Sequence, residues 1–317
     1  MEISEKNQCP ICGGFAKPIK KLDAAFIEDK LALYFDKKIS GNLDIPDFEM
    51  MQCPECTFEF ANPRIEGSAA FYNWITSQPG YYVETRWEYP KVIELLSKKN
   101  KKTELLDVGC GDGLFFDYVS HNGNLEIDLY GLDPTPGSIE KCEKKGYKVF
   151  CMDVQKFKST RKDILFDVIT CYHVLEHIAD PKQFLKELKG LIKPGGEIYI
   201  STPYSPMDFE LEWYDVLNHP PHHMGRWNLA SYKKIAEVLG LQIETFMPPQ
   251  RNFFKSAILS FMYSIYGPEK IQSKTKILKS VVRYPFKFFR HLKGQSQRSK
   301  VCGKRAANVI LVKFIKP

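Results

Sequence analysis

The 317-residue chain is 44% hydrophobic and 26% charged, which predicts a folded globular protein with a substantial core. No apolar run reaches the about 18 residues of a membrane-spanning helix, and residues 1–6 lack the apolar segment of a signal peptide, so neither is expected. The formal charge of +7 is unevenly distributed. Residues 270–317 hold 14 Lys and Arg and no acidic residue, whereas the rest holds 31 basic and 38 acidic residues, so we expect an anionic partner or surface.

Nine cysteines without a secretion signal predict a reducing, cytoplasmic environment. Four of them form two Cys-x-x-Cys pairs, Cys9 with Cys12 and Cys53 with Cys56, each with an internal proline or an adjacent glycine that favours a tight turn. Four thiolates are the ligand set of a tetrahedral structural zinc, so we predict a closed Zn²⁺ site without a catalytic role. The alternatives are a redox pair or unpaired core thiols.

Residues 65–98 are rich in aromatic side chains, and Pro79-Gly80 divides them into two predicted helices. Aromatic residues at helical spacing most often pack into a core. Because this segment directly precedes a glycine-rich turn, part of it is also a candidate lid over a ligand pocket. Tyr81, Tyr82 and Arg86 are the candidates for that role.

The glycine-rich turn follows a predicted buried strand at residues 105–108. Gly109, Gly111 and Gly113 come at every second position, and an apolar helical start follows them. Glycine permits a tight bend and a close approach that a Cβ would block. In open α/β folds such turns bind nucleotide-like ligands at the carboxyl ends of the strands. The spacing is not the dinucleotide fingerprint, whose third glycine follows the second by three residues.

Strands and helices alternate after this turn, which predicts a mostly parallel sheet. The second strand ends at Asp133, whose carboxylate is placed to accept the two hydroxyls of a ribose. The third strand ends at Asp153, for which helix N-capping is the alternative to ligand binding. The fourth and fifth strands are predicted at 166–172 and 197–203.

These motifs, in this order and including the Leu-Glu-His segment at 175–177, resemble those of the class I S-adenosylmethionine (SAM) methyltransferases. The resemblance implies a Rossmann-like, seven-stranded α/β fold and methyl transfer from SAM. It implies a cofactor site formed by Asp107, Gly109, Gly111, Gly113, Asp133, Asp153, Val154, Tyr172 and Tyr82.

The cysteine pairs, with Asn62-Pro63 and Trp87-Glu88, also resemble a bacterial subgroup with a zinc-binding leader that includes sugar C-methyltransferases. This predicts a zinc-binding leader at 1–64, a helical connector at 65–104 and a methyltransferase domain at 105–317.

Three histidines, His219, His222 and His223, lie in the loop after the fifth strand. Such loops line the ligand crevice, and an imidazole is a suitable general base for an acceptor hydroxyl or carbon acid. We predict His222 or His223 as the base, with Tyr204 as a helper. Metal binding and a rigid structural loop are the alternatives. His177 is expected to be packed and hydrogen-bonded, with metal binding as its alternative.

The last two strands are predicted at 241–246 and 308–315, as an antiparallel pair at the sheet edge. Before them, Asn228 is the predicted N-cap of a helix at 229–239 that ends at Gly240. Between the two strands lies an insertion at about 252–305.

Apolar positions recur at helical spacing in this insertion, with Lys and Arg on the other face and Pro285 as a predicted kink. A basic, amphipathic helix with Phe286, Phe288 and Phe289 predicts docking on an anionic membrane surface. The alternative is an insertion that packs on its own core and leaves a solvated basic face.

The leading functional hypothesis is therefore a SAM-dependent methyltransferase. Its acceptor is expected to be a small molecule or a saccharide, lipid-linked and nucleotide-linked sugars included. The protein is expected to be cytoplasmic and peripheral at the inner membrane face. One alternative is an RNA-modifying methyltransferase that binds RNA through the two Cys-x-x-Cys pairs and the basic insertion. The other is a catalytically inactive scaffold with the same fold.

Overall fold

The structure is a computed structural model. The residues that it describes are 7–39, 41–78, 86–99, 101–122, 125–161, 164–207, 210, 215–248, 253–266, 273–302 and 307–317. In chain order the elements are β1 (Lys17–Leu22), α1 (Ala24–Phe35), β2 (Phe48–Gln52), β3 (Glu59–Asn62), α2 (Ala69–Thr76), α3 (Glu88–Ser97), β4 (Thr103–Val108), α4 (Leu114–Asn122), β5 (Ile127–Asp133), α5 (Pro136–Lys144), β6 (Lys148–Cys151), α6 (Val154–Thr160), β7 (Phe166–Tyr172), α7 (Pro181–Leu191), β8 (Ile192–Pro203), β9 (Gly225–Arg226), α8 (Leu229–Leu239), β10 (Gln242–Phe246), α9 (Phe253–Tyr266), α10 (Lys274–Arg283), α11 (Pro285–Cys302) and β11 (Val309–Ile315).

The larger sheet has seven strands in the order β10-β11-β8-β7-β4-β5-β6. The strands from β8 to β6 pair in parallel, whereas β11 runs antiparallel to both β8 and β10. The central strands β4 and β7 are almost wholly buried, as their continuous apolar runs require in a sheet covered on both faces. The Rossmann-like α/β prediction is thus confirmed, including the antiparallel pair at the edge.

Most predicted boundaries agree with the structure within about two residues, and β8 is the main exception. It begins at Ile192, five residues before the predicted start, because Ile192 pairs with Phe166 of β7 and because Gly195 and Gly196 form backbone hydrogen bonds with Lys316 beyond the end of β11. Helix α8 begins and ends as predicted. The side chain of Asn228 accepts a hydrogen bond from the amide of Ser231.

The smaller sheet joins the leader to the rest of the chain. Its antiparallel strands follow the order β1-β2-β3-β9, and β9 comes from the loop after β8. The buried guanidinium of Arg226 in β9 donates to Glu59 in β3 and to Glu210, each at 2.7 Å. Phe58 packs on Trp227 with ring centroids 4.7 Å apart. The leader therefore shares its sheet and part of its core with residues more than 160 positions later.

The connector packs mainly as core, as its aromatic spacing predicted. Phe71 on α2 and Tyr89 on α3 are buried, and Tyr89 contacts Phe115 at the start of α4. The proposed lid residues Tyr81 and Tyr82 lie outside the described residues.

The described residues of the insertion form three helices, and α9 packs against α11 through Phe261 and Phe288, whose ring centroids are 5.3 Å apart. Two details of the sequence prediction are wrong. Pro285 begins a separate helix instead of kinking one, because α10 ends at Arg283. Phe288 faces α9 and not the exposed side. Within the described part of the chain, no helix has the length and apolar character needed to cross a bilayer.

Candidate functional site

The glycine turn joins β4 to α4 and has one face closed by packing and one face open. Gly109 and Gly113 have φ of +75° and +80°, and a Cβ on Gly109 would lie 2.3 Å from Cγ2 of Val174. Gly111 also has a positive φ, +50°, but a Cβ there would meet no atom within 4 Å. The outer glycines are thus required by the backbone and its packing, whereas the space above Gly111 is open to a ligand.

Asp133 ties the end of β5 to this turn. Its Oδ2 accepts a hydrogen bond from the amide of Gly111 at 3.0 Å, and its Oδ1 accepts one from the amide of Thr135 at 2.8 Å. An ionised carboxylate has about four lone-pair positions, so two remain for hydroxyl donors such as those of a ribose. The ends of β4 and β5 therefore form one polar site at the carboxyl edge of the larger sheet.

Asp107 and Tyr172 add two buried polar groups at the ends of β4 and β7. Thr170 donates a hydrogen bond to Asp107 at 2.7 Å, and burial raises the pKa of this carboxyl to about 7. The hydroxyl of Tyr172 is buried and has no hydrogen-bond partner within the described residues. An orphaned hydroxyl and a desolvated carboxyl fit a polar, cationic ligand such as the methionine portion of SAM.

Asp153 has a capping role, which was the alternative in the sequence analysis. Its Oδ1 accepts from the amide of Lys156 at 2.7 Å, at the N-terminus of α6. Val154, the first residue of that helix, is buried. A ligand role for either residue stays a prediction, and Tyr82 lies outside the described residues.

His173 lies directly after β7, and the sequence analysis assigned it no role. It has φ of +55°, and its two ring nitrogens contact Glu176 at 3.1 Å and Glu88 at 3.0 Å. Burial opposes its charged form, but the hydrogen bonds to Glu176 and Glu88 prevail and raise the pKa of His173. Sequence alone gave no signal for this pairing, because Glu88 is 85 residues away.

The predicted bases His222 and His223 are buried and stacked, with ring centroids 4.5 Å apart. Burial and the adjacent His177 lower the pKa of His222 to about 3, and burial also lowers the pKa of His223 well below its usual value. Both rings are therefore neutral at pH 7. The proposed helper Tyr204 is buried beside Trp227, with which it forms a backbone bridge.

His177 is packed and hydrogen-bonded as predicted. Its Nδ1 is hydrogen-bonded to the carbonyl oxygen of His222. Its ring contacts the rings of His222 and His223, with centroid distances of 4.6 and 4.8 Å. The structure thus brings together three imidazoles from the loops after β7 and β8.

The four cysteine sulfurs converge as the paired motifs predicted. Cys9 lies 3.5 Å from Cys56, Cys12 lies 3.5 Å from Cys53 and 3.7 Å from Cys56, and all four sulfurs lie within 4.8 Å of one another. Tetrahedral Zn–S bonds of about 2.3 Å require sulfur separations of about 3.8 Å. The donor set and its spacing therefore fit a Zn²⁺ ion.

Comparison with known protein families shows a match over about half of the chain. The model of a family described as a methyltransferase domain matches residues 81–245. A ubiquinone biosynthesis O-methyltransferase of Coxiella burnetii (strain Dugway 5J108-111) is 32% identical over 108 residues, which is 32% of this chain and 44% of the relative. A mitochondrial enzyme of the same name from Dictyostelium discoideum is 31% identical over 31% of this chain and 34% of its own length. The chain thus spans less than half the length of these curated relatives.

Two solved structures resemble the fold. A SAM dependent methyltransferase from Archaeoglobus fulgidus has a TM-score of 0.45 and 21% identity, covering 72% of this chain and 94% of that one. The plantazolicin methyltransferase BamL, in complex with a triazolic desmethylPZN analog and SAH, has a TM-score of 0.45 and 16% identity, covering 72% and 84%.

Proposed function

Because the chain belongs to the methyltransferase domain family, we propose that it transfers the methyl group of SAM to a small-molecule or saccharide acceptor. The observation that carries this proposal is the open face of Gly111, whose amide is hydrogen-bonded to Asp133. This arrangement matches a nucleoside ligand, with backbone approach at the glycine turn and hydroxyl recognition by the carboxylate.

Each residue at this edge has a distinct task. Bound SAM supplies a methyl group that is already activated by its positively charged sulfur. Asp133 would accept hydrogen bonds from the ribose hydroxyls, and Asp107 would place a negative charge near the ammonium group. The hydroxyl of Tyr172 would gain the hydrogen-bond partner that the described residues do not provide. The protein then contributes mainly alignment of the acceptor with the methyl group.

Removal of the acceptor proton is assigned to His222 or His223, with Tyr204 as helper. Their position after β8 supports this assignment, because that loop borders the same sheet edge as the glycine turn. The lowered pKa of His222, about 3, makes an imidazole by itself a weak base at neutral pH. Full activity of both His222→Gln and His223→Gln on the true acceptor would contradict the assignment.

The leader is proposed to hold one structural Zn²⁺ through Cys9, Cys12, Cys53 and Cys56. With four thiolates the ion has no open position, so it stabilises the leader and takes no part in the reaction.

The insertion supports a peripheral position at an anionic membrane. Leu278, Val282, Phe286 and Phe289 are 66–88% exposed on α10 and α11, which places a row of large apolar side chains in water. The segment that carries them has no acidic residue. Aliphatic side chains such as Leu278 and Val282 do not stack on nucleic-acid bases, so this composition favours a lipid surface over RNA.

A cavity of about 350 Å³ lies between α10 and Tyr266 at the end of α9. Lys276, Lys279 and Arg283 line it together with the hydroxyl groups of Ser280 and Tyr266. Cations and hydroxyl donors suit a phosphate group, and each basic residue near an anionic bilayer contributes about 1 kcal/mol of binding. A lipid-linked acceptor would fit an enzyme held at that surface.

The triple variant Leu278→Ser, Phe286→Ser, Phe289→Ser should bind vesicles of anionic phospholipid at least about tenfold more weakly than the native protein. The reason is the loss of three apolar groups that would enter the interface, each worth about 1.5–3 kcal/mol when fully buried. Co-sedimentation measures the effect. The control is Leu33→Ser, because Leu33 is 73% exposed on α1 in the leader. Equal binding of the native, triple-variant and control proteins would contradict the docking surface.

Affinity for SAM should rise about tenfold between pH 6 and pH 8. The Asp107 carboxyl, with a pKa of about 7, is largely protonated at pH 6 and largely ionised at pH 8, and only the ionised form attracts an ammonium group. Calorimetry should show a much flatter profile for Asp107→Asn. Any titration of SAM itself affects the native protein and Asp107→Asn equally, so it cancels when their affinities are compared. Identical profiles of SAM affinity against pH in the two proteins would exclude the role of Asp107.

The acceptor class is tested by incubation with methyl-labelled SAM and three sets of acceptors. These are lipid-linked saccharides, nucleotide-linked sugars and cellular RNA. We expect label in a saccharide or another small molecule. Label only in RNA would support the RNA-modifying alternative, and no label in any extract would support the inactive scaffold.

A further inference from the structure

Three histidines from two separate loops form one cluster beside the carboxyl edge of the larger sheet. His177 comes from the loop after β7, and His222 and His223 come from the loop after β8. One ring nitrogen of each lies within 4.8 Å of the others. Tetrahedral Zn–N bonds of about 2.05 Å require nitrogen separations of about 3.3 Å. The nitrogens would have to approach one another by at most about 1.5 Å to reach that spacing.

The tautomer of each ring is fixed by a carbonyl oxygen. The Nδ1 of His177 is hydrogen-bonded to the backbone oxygen of His222, and the Nδ1 of His222 lies 2.7 Å from the backbone oxygen of Leu217. The Nδ1 of His223 lies 2.9 Å from the amide oxygen of Asn218. A carbonyl oxygen accepts but cannot donate, so each Nδ1 carries a proton, and Nε2 is the nitrogen through which each ring would bind a metal.

Imidazoles whose Nδ1 donates to a carbonyl oxygen have the arrangement that orients histidines as metal ligands. His177 is partly exposed, which leaves a path for the ion.

We propose that His177, His222 and His223 form a second metal site, separate from the four cysteines, for a borderline divalent ion such as Zn²⁺, Co²⁺ or Fe²⁺. Imidazole suits these ions, whereas Mg²⁺ and Ca²⁺ prefer oxygen ligands. Three protein ligands leave at least one coordination position open, unlike the closed site in the leader. A metal bound by His222 and His223 would replace the general-base role proposed for them, whereas SAM binding at the glycine turn does not depend on this site.

The test is titration of the metal-free, full-length protein with Co²⁺. The native protein should bind two ions per chain. One should show thiolate-to-cobalt charge-transfer absorption, which only the cysteine site produces, and the other should not. Paramagnetic proton NMR should show three shifted, solvent-exchangeable signals from the three Nδ1 protons, which four cysteines cannot produce.

His177→Gln and His223→Gln should each bind one ion fewer and keep the thiolate absorption. The matched control is His121→Gln, because His121 on α4 also contacts a backbone oxygen through Nδ1, at 2.6 Å, but lies outside the cluster. One ion per native chain would overturn the proposal, as would native spectra without shifted imidazole signals. These two outcomes are read on the native protein and hold even if a variant fails to fold.

Discussion

Replacing Gly111 with valine should lower the affinity for SAM at least about 100-fold, which corresponds to about 2.7 kcal/mol. The new side chain would occupy the open space above the turn, where a Cβ meets no protein atom within 4 Å and where the cofactor is proposed to lie. The φ of +50° at this position adds backbone strain of about 1–3 kcal/mol. Calorimetric titration of Gly111→Val with SAM measures the loss.

The matched control for this variant is Gly195→Val. Gly195 has φ of +72° and equally open space for a Cβ, but it lies near the amino end of β8, at the opposite edge of the sheet from the glycine turn. Both variants should lose similar stability, and only Gly111→Val should lose SAM binding. Equal SAM affinity in the two variants would mean that the cofactor does not use the glycine turn.

Removal of two zinc ligands should have the largest effect on stability. Cys53→Ser, Cys56→Ser should lose one equivalent of zinc and at least about 5 kcal/mol of stability, or on the order of 10 °C in Tm. Structural zinc sites contribute about 10 kcal/mol or more in small domains. The leader retains part of its stability because β3 pairs with β9 and Phe58 packs on Trp227.

Metal analysis and thermal melting measure this effect, with Cys151→Ser as the control. Cys151 is exposed at the end of β6, away from the other sulfurs, and its replacement should change neither zinc content nor Tm. A native protein that is purified without metal yet melts like the zinc-loaded form would contradict a structural role.

The regular part of the fold could be predicted because each signal is local. An apolar strand, a glycine turn and an acid at the next strand tip each depend on a few adjacent residues, and Asn228 with Gly240 marks both ends of α8. The cysteine pairs likewise predicted the convergence of four sulfurs, because each pair fixes two sulfurs within one turn.

Pairings across long sequence distances could not be predicted. Glu88 of the connector contacts His173, which is 85 residues later. The strand β9, which completes the leader's sheet, follows most strands of the larger sheet in the sequence. His177 was expected to be packed because no neighbouring motif completes a ligand set. The fold supplies His222 and His223 from 45 residues further on. Phe288 was grouped with Phe286 and Phe289 on the predicted docking face, whereas packing of α9 on α11 turns it inward.

The central claim, that this chain is a SAM-binding enzyme, is tested most directly by calorimetric titration of the zinc-loaded native protein with SAM. The account predicts one SAM per chain, competition by the demethylated product SAH, and no binding of NAD⁺, because the glycine spacing is not the dinucleotide fingerprint. A folded, zinc-loaded protein that gives no binding signal with either SAM or SAH would contradict the account.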